Sequence, residues 1–124
     1  MGISLAMLEV TAAAVIGESF TPWSNANARL GVGNGTAPFV TTQTDLQGAS
    51  KLRKAVSVGY PTRSGRILTW QAMFMGDEAN FAWAEYGVFN AASAGTMFCR
   101  ELEDHGTKAA DSVWVLTLAG TLAT

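Results

Sequence analysis

Near the N-terminus the hydrophobic residues of the chain follow a helical spacing. Apolar side chains recur every three or four positions from Leu5 to Ile16, with alanines between them, and Gly17 follows the last one. This spacing predicts an amphipathic helix over residues 3–16 that ends at Gly17 and packs one face against a sheet.

Beyond residue 27 the apolar residues alternate with polar ones, which predicts β-strands. Such stretches occur at residues 28–32, in a segment ending near Val58, and at 68–74, 81–90, 96–103 and 112–122. The last stretch, SVWVLTLAGTL, is apolar almost throughout, so we expect a strand that is buried on both faces, against the core on one side and a neighbouring subunit on the other. One N-terminal α-helix followed by these strands predicts a mainly β protein, an antiparallel β-sandwich.

Two connections between the predicted strands carry more specific signals. TTQTDLQGA, residues 41–49, predicts one short helical turn with Thr42 as its N-cap, Asp45 three positions later and Gly48 at its end. TRSGR, residues 62–66, is typical of a tight turn.

Composition limits the class of protein. The 124 residues suit a single domain, residues 1–124, and 48% of them are hydrophobic whereas only 15% are charged. This excess of apolar residues indicates that some surface is buried against other chains. A net charge of −2 argues against general binding to nucleic acid. The apolar N-terminus is interrupted by Glu9 and is too short for a membrane span, so we expect no membrane partner.

The stretch LGVGNGTAPF, with its alternate glycines, has some features of a phosphate-binding loop. Such loops need G-x-G-x-x-G before a helix, or Gly-Lys-Ser/Thr at their end. Gly31, Gly33 and Gly35 have a different spacing, and Thr-Ala-Pro follows them instead of a helix. Asn34–Gly35 is a strong turn dipeptide. We therefore expect Gly31, Gly33, Asn34 and Gly35 to form a structural turn, and no cofactor site.

Few residues suit catalysis or metal binding. His105 is the only histidine and Cys99 the only cysteine, so no multi-cysteine metal site and no internal disulfide can form. A hydrolase that uses His105 with Cys99 or a carboxylate is one alternative, because catalytic partners need not be close in sequence. No nucleophile-elbow motif supports it. We expect no catalytic, metal-binding or cofactor-binding residues.

Glu85 is a carboxylate that the pattern places in a buried position. It lies in FAWAEYGVFN on the same side of the predicted strand as Trp83 and Phe89. A buried carboxylate needs a partner, and Arg53 and Arg100 are both candidates. We expect Glu85 to form a structural ion pair or a contact between subunits.

Two further groups of side chains have alternative interpretations. Five of the eight basic residues fall within KLRKAVSVGYPTRSGR, residues 51–66, and the overall acidity favours a solvated or protein-docking surface over a nucleic-acid site. The four tryptophans suit either core packing or a sugar-binding platform. Trp23 lies outside the predicted strands and is the tryptophan that we expect at an interface.

Three stretches of the chain, taken in order, resemble small structural proteins of tailed bacteriophages. They are SNANARLGVGNGTAPFVTTQTDLQG, ANFAWAEYGVFNAASAGTMFCRE and HGTKAADSVWVLTLAGTL, which together span nearly the whole chain. The shared order is a glycine turn, a T-x-x-Q-T-D-L segment, an E-x-G-[VIL]-F-[ND] strand and a terminal strand. The chain is also similar to the N-terminal attachment module of phage tail-collar fibre proteins.

The resemblance implies a virion component that self-associates, as a homotrimer, and binds capsid or tail proteins. The chain ends at Thr124 without the shaft of a fibre protein, so we expect a decoration (cement) protein on the capsid surface. A tail-fibre or baseplate adaptor is the second interpretation. A small carbohydrate-binding β-sandwich is the third.

Overall fold

A computed structural model describes residues 2–122. Its elements are β1 (Gly2–Ile3), α1 (Leu5–Val15), β2 (Arg29–Gly33), β3 (Lys51–Ala55), β4 (Thr62–Ser64), β5 (Ile67–Phe74), β6 (Glu85–Phe89), β7 (Met97–Leu102) and β8 (Trp114–Thr121). They form a five-stranded sheet in the order β1-β7-β6-β2-β3 and a three-stranded sheet in the order β4-β5-β8. Every strand pair is antiparallel. The prediction of a mainly β, antiparallel sandwich with one N-terminal helix is confirmed.

The core lies between the inward faces of the two sheets. Leu30 of the larger sheet and Trp70 of the smaller one are at most 1% exposed. Aromatic rings connect the sheets edge to face, with ring centroids 5.1 Å apart for Trp70 and Phe98 and 5.0 Å apart for Phe74 and Trp83. Burial of these rings, with the aliphatic side chains around them, stabilises the packing of the two sheets.

Helix α1 buries less surface than its spacing predicts. It begins at Leu5 and ends at Val15. Gly17 has a left-handed φ of +86°, as is common just after a helix, so the predicted stop at Gly17 is confirmed. None of its residues is fully buried, and only partly buried side chains such as Met7 reach the core. Val15 is 79% exposed, and Ile16, which follows the helix, is 74% exposed. With 11 residues, α1 is not a candidate membrane span, and no other helix in residues 2–122 is either.

Two strand boundaries differ from the prediction. The strand expected to end near Val58 occupies Lys51–Ala55, and Val58 lies in the following loop with 96% of its surface exposed. TRSGR is not only a turn, because its first three residues form β4 and pair with β5. The chain reverses at Gly65, which has a φ of +58°.

Residues 41–49 belong to an irregular segment, residues 34–50, that we call the covering segment. The predicted helical turn is wrong, since no helix forms there. The side chain of Asp45 does not cap a helix; its Oδ1 accepts the N–H of Leu46 and its Oδ2 binds Lys51 at 2.9 Å. Lys51 belongs to β3, so a local capping pattern does not predict this ion pair.

Burial on both faces occurs in β6 and not in β8. All five residues of β6 are buried, with the core on one face and the covering segment on the other. Burial in β8 alternates, so that Leu116 and Leu118 are buried while Val115 and Thr117 are exposed. The core face of the last strand is buried as predicted, and its outer face has no covering layer in residues 2–122. The predicted contact of that outer face with a neighbouring subunit stays a prediction.

Candidate functional site

The glycine-rich stretch is mainly strand. Gly31 and Gly33 lie within β2, hydrogen-bonded between β3 and β6. Asn34 and Gly35 follow the strand, and neither has the positive φ that an Asn-Gly hairpin turn requires. The prediction that Gly31, Gly33, Asn34 and Gly35 form a turn is therefore wrong.

Three glycines, Gly33, Gly35 and Gly48, surround the carboxylate of Glu85, which occupies space that their side chains would fill. A Cβ added to Gly33 would lie 2.5 Å from Oε2 of Glu85, and one added to Gly48 would lie 2.8 Å from the same atom. A Cβ added to Gly35 would lie 2.8 Å from the carboxylate carbon. We call Gly33, Gly35 and Gly48 the carboxylate cradle.

Three backbone N–H groups and one guanidinium bind the Glu85 carboxylate. The N–H groups of Gly35 and Gly48 donate to Oε2 at 2.8 and 2.7 Å, while the N–H of Gln47 and Nε of Arg100 each donate to Oε1 at 2.8 Å. Burial acts to raise the pKa of Glu85, but these bonds together lower it below the ordinary value of 4.5. Glu85 is therefore ionised at neutral pH, and both of its oxygens are engaged in holding the fold.

The ion-pair partner of Glu85 is Arg100 and not Arg53. The side chains of Glu85 and Arg100 are both 0% exposed. Nη1 of Arg100 also donates to the carbonyl of Ala37 and to Oε1 of Gln43, at 2.9 and 3.2 Å. Arg100 thus binds the covering segment to β7 while it neutralises the carboxylate.

Arg53 holds the covering segment from β3. Its guanidinium carbon lies 3.6 Å from the centroid of the Phe89 ring, a cation–π contact. Its Nη2 lies 3.3 Å from Oδ1 of Asp45, and its Nη1 donates to the carbonyls of Ala91 and Ala94. Both Nη1 and Nη2 of Arg53 therefore bond to groups of its own chain.

The two sequence motifs behind the phage resemblance form one packing unit. A Cβ on Gly31 would lie 2.8 Å from the Phe89 ring, and one on Gly87 would lie 3.0 Å from it. Leu46 of the covering segment joins Phe89 and Met97 in a small separate core. The alternate glycines and the Glu-x-Gly-x-Phe strand therefore complement each other sterically.

An apolar groove of about 320 Å³ lies between α1 and the hairpin of β4 and β5. Met7 and Val10 of the helix line it, together with Phe20, Trp23 and Leu68. The Trp23 ring packs edge-on against Phe98 at 5.7 Å, and its Nε1 is buried without a hydrogen-bond partner in residues 2–122. Trp23 is thus a wall of an open groove, which is compatible with its predicted place at an interface.

None of the four tryptophans is exposed. Trp70 and Trp83 are 1% and 2% exposed, and Trp23 and Trp114 are partly buried against the core. A sugar-binding platform needs the flat face of an aromatic ring open to solvent. Trp70 and Trp83 therefore offer no platform to the carbohydrate-binding interpretation, and Trp23 and Trp114 have only part of their surface open.

Cys99 and His105 are poorly placed for hydrolytic chemistry. Burial, assisted by the charge of Glu101, raises the pKa of the Cys99 thiol to about 12, so the nucleophilic thiolate is scarce at neutral pH. The His105 ring lies edge-on to Tyr86, and its Nε2 is 3.4 Å from an oxygen of Glu103. In the described part of the chain, no three His, Cys, Asp or Glu side chains gather as metal ligands would.

Carboxylates neutralise much of the basic stretch. Lys51 lies 2.9 Å from Asp45, which also binds Arg53, and Lys54 lies 2.6 Å from Glu78. Phosphate binding at these three positions would compete with existing ion pairs. The arrangement favours a role in the fold over a nucleic-acid surface.

The sequence interpretation missed three buried polar residues, Ser4, Asn90 and Lys108. Lys108 is 1% exposed, and its Nζ donates to the carbonyl of Met75 at 2.7 Å and to Oδ1 of Asn80 at 2.9 Å. No local signal marks it, since a lysine in a polar loop is ordinarily solvated. Ser4 is the N-cap of α1 and was detectable, because serine directly before an apolar helical spacing is a common start signal.

The outer face of the three-stranded sheet is uncharged. Its opposed pairs from β5 and β8 are Met73–Val115, Gln71–Thr117, Thr69–Ala119 and Ile67–Thr121. Met73, Val115 and Ile67 are 45%, 52% and 45% exposed. A face of this composition on a soluble domain is typical of a surface that meets another chain.

The chain matches no protein-family model and no curated protein sequence. Its function is therefore inferred from its own motifs and surfaces.

Proposed function

We propose that the protein is a non-enzymatic structural component of a tailed-bacteriophage virion, a decoration (cement) protein that self-associates on the capsid surface. The observation that carries this proposal is the distribution of exposed apolar residues. The buried charged side chains of the protein, Glu85, Arg100 and Lys108, are hydrogen-bonded inside the chain. By contrast, α1 and the smaller sheet present apolar side chains to solvent.

The surface formed by α1 supports binding to another protein. Val15 and Ile16 are largely exposed, and Phe20, at the mouth of the groove that Trp23 lines, is 46% exposed. Burial of such side chains contributes about 1.5–3 kcal/mol each when a partner covers them completely. A few contacts of this size per copy, multiplied over many copies, are sufficient for a cement role.

The order of motifs supports the phage assignment. The alternate glycines of β2 and the Glu-x-Gly-x-Phe strand are bound to each other through Glu85 and Phe89, so the resemblance covers a coherent structural unit. The same unit would serve a tail-fibre or baseplate adaptor, which is the second candidate. The homotrimer is proposed from the resemblance.

The test is to locate the protein in purified particles. Heads and tails are separated on a density gradient, and each fraction is searched for peptides of this chain by mass spectrometry. We expect the peptides in the head fraction, at many copies per capsid. Peptides only in the tail fraction would favour the adaptor, and their absence from both fractions would contradict the virion assignment.

A further inference from the structure

The four edge strands of the two sheets differ in how they are protected against pairing with another chain. β1 has two residues, and β4 has three, including Arg63. β3 has the sequence KLRKA, whose three basic residues guard its edge. Short length and charge are the usual protections of exposed edges.

The edge of β8 has neither protection. It runs for eight residues, WVLTLAGT, with no charged residue and no proline. Within residues 2–122 only β5 is hydrogen-bonded to it, so in this part of the chain its other side carries unpaired backbone N–H and C=O groups. An edge of this kind selects a β-strand as its partner, because only another strand satisfies a row of alternating donors and acceptors.

We propose that β8 pairs antiparallel with β8 of a second copy of this chain, about a two-fold axis, to give a continuous six-stranded sheet. The proposal rests on the self-association in the proposed function and assigns a surface to it. Because a two-fold contact closes as a dimer, it takes the place of the homotrimer that the resemblance implies. Among the described edges β8 alone is both long and uncharged, so a second copy offers a strand that brings no charge into the contact. One isologous contact also covers both open edges at once.

The shape beside β8 is compatible with this pairing. A groove of about 560 Å³ is lined by residues 113–117 together with Trp83 and His105. No residue of β5 lines it, so the groove lies on the free side of β8, along the first half of the strand. Four consecutive residues of β8, 114–117, line the groove, as expected if an extended strand of another chain lies alongside β8.

Side-chain alternation restricts the register of the pairing. Opposed residues of antiparallel strands share a face, so the outward residues of one copy must oppose outward residues of the other. The central registers that satisfy this place either Thr117 opposite Thr117 or Thr117 opposite Ala119. Both side chains are exposed, so changing them alters the contact and leaves the core of each copy intact.

The experiment uses the double variant Thr117→Lys/Ala119→Lys, which brings like charges together in either register. Thr62→Lys/Ser64→Lys is the matched control, since both residues are exposed and lie on β4, at the opposite edge of the same sheet. Sedimentation equilibrium measures the dimer dissociation constant. We expect it to rise at least about tenfold in the β8 variant and to change less than about twofold in the control.

A charge-swap mixture tests the two-fold symmetry. Thr117→Glu/Ala119→Glu is weakened alone, but an equimolar mixture with the lysine variant should form a mixed dimer at least as tight as the wild type. Two weakened variants that fail to combine would overturn the isologous pairing. An unchanged dissociation constant in the lysine variant would overturn it as well.

A measurement on the unmodified protein covers the case in which a variant does not fold. Amide hydrogen exchange of β8 should slow as protein concentration rises, while exchange in β3 stays constant. Equal behaviour of the two strands, or a trimer that leaves β8 unprotected, would overturn the β8 contact. Binding of the protein to phage heads would then still support the proposed function, since that readout does not depend on β8.

Discussion

The carboxylate of Glu85 is out of contact with water, and four hydrogen bonds replace its hydration. Moving a carboxylate into the interior costs several kcal/mol unless its oxygens are bonded and its charge is neutralised. Here Arg100 supplies the charge, and the backbone of the covering segment supplies three donors. The backbone comes close enough because the cradle residues have no side chains. Glu85 thus excludes a side chain at Gly33, and together with the neighbouring backbone of the covering segment it excludes one at Gly35 and Gly48.

The variant Glu85→Gln tests this arrangement. It keeps the size of the side chain, but it leaves the Arg100 guanidinium buried without a counter-charge and turns an amide NH₂ toward backbone donors. We expect the free energy of unfolding to fall by about 3–5 kcal/mol, measured by urea denaturation at neutral pH. Glu103→Gln is the control, because the Glu103 side chain is 62% exposed; it should change stability by less than about 0.5 kcal/mol.

The Glu85–Arg100 pair also predicts how the free energy of unfolding changes with pH. The pKa of Glu85 is lower in the folded chain than its ordinary 4.5, so the unfolded chain binds more protons between the two values. The stabilisation is complete above about pH 4.5 and is lost as the pH falls toward the folded pKa. Glu78, whose pKa is lowered by its bond to Lys54, adds a similar slope in both proteins. Wild type should therefore lose more stability on acidification than Glu85→Gln, and parallel curves would contradict the assignment.

Gly33→Ala tests the cradle directly. The new methyl group would lie 2.5 Å from Oε2 of Glu85, an atom held in place by its bonds to Gly35 and Gly48. Overpacking of this kind costs about 1–3 kcal/mol of unfolding free energy. Made in a Glu85→Ala background, the same change should cost less, because the clashing atom is gone. Equal costs in the two backgrounds of this double-mutant cycle would show that the methyl group does not meet the carboxylate.

Among the elements, those governed by local signals were the ones that the sequence predicted well. The end of α1 at Gly17 and the strands β5 and β7 follow from a left-handed glycine and from local alternation. The covering segment was predicted wrongly because its conformation depends on Glu85 and Arg100, which lie far away in the chain. The sequence therefore predicted that Glu85 has a charged partner, but it did not predict the carboxylate cradle that surrounds the pair.

The start of α1 depends on Ser4, which has two roles. Its Oγ accepts the N–H of Met7 at 3.1 Å and its hydroxyl donates to the carbonyl of Met97 in β7. Ser4→Ala removes both the helix cap and the hydrogen bond to the Met97 carbonyl, so we expect a loss of about 1–2 kcal/mol in unfolding free energy. Thr11→Ala is the control on the same helix, since Thr11 is exposed and caps nothing. Equal effects of the two changes on urea denaturation would rule out the capping role.

At the scale of the whole molecule, composition indicated contact with other chains but not where that contact lies. The location of that contact depends on which sheet has a covering layer, and contacts between residues distant in sequence determine which sheet is covered. The larger sheet is covered by residues 34–50, whereas the smaller sheet and α1 stay open. The last strand was expected to be buried against the core on one face and a neighbouring subunit on the other, because SVWVLTLAGTL is apolar almost throughout. Such residues suit an interface between copies as well as a core.

The exposed end of α1 gives the last prediction. Val15→Glu and Ile16→Glu, made together, place two charges on side chains that are 79% and 74% exposed, so unfolding free energy should change by less than about 0.5 kcal/mol. Binding to phage heads, measured by co-sedimentation, should weaken at least about tenfold if this surface meets the capsid, because an apolar contact is replaced by buried charge. Val58→Glu is the control, since Val58 is 96% exposed in the loop after β3 and should leave binding unchanged. Equal binding by all three proteins would exclude the α1 surface and leave the smaller sheet as the remaining apolar contact with the particle.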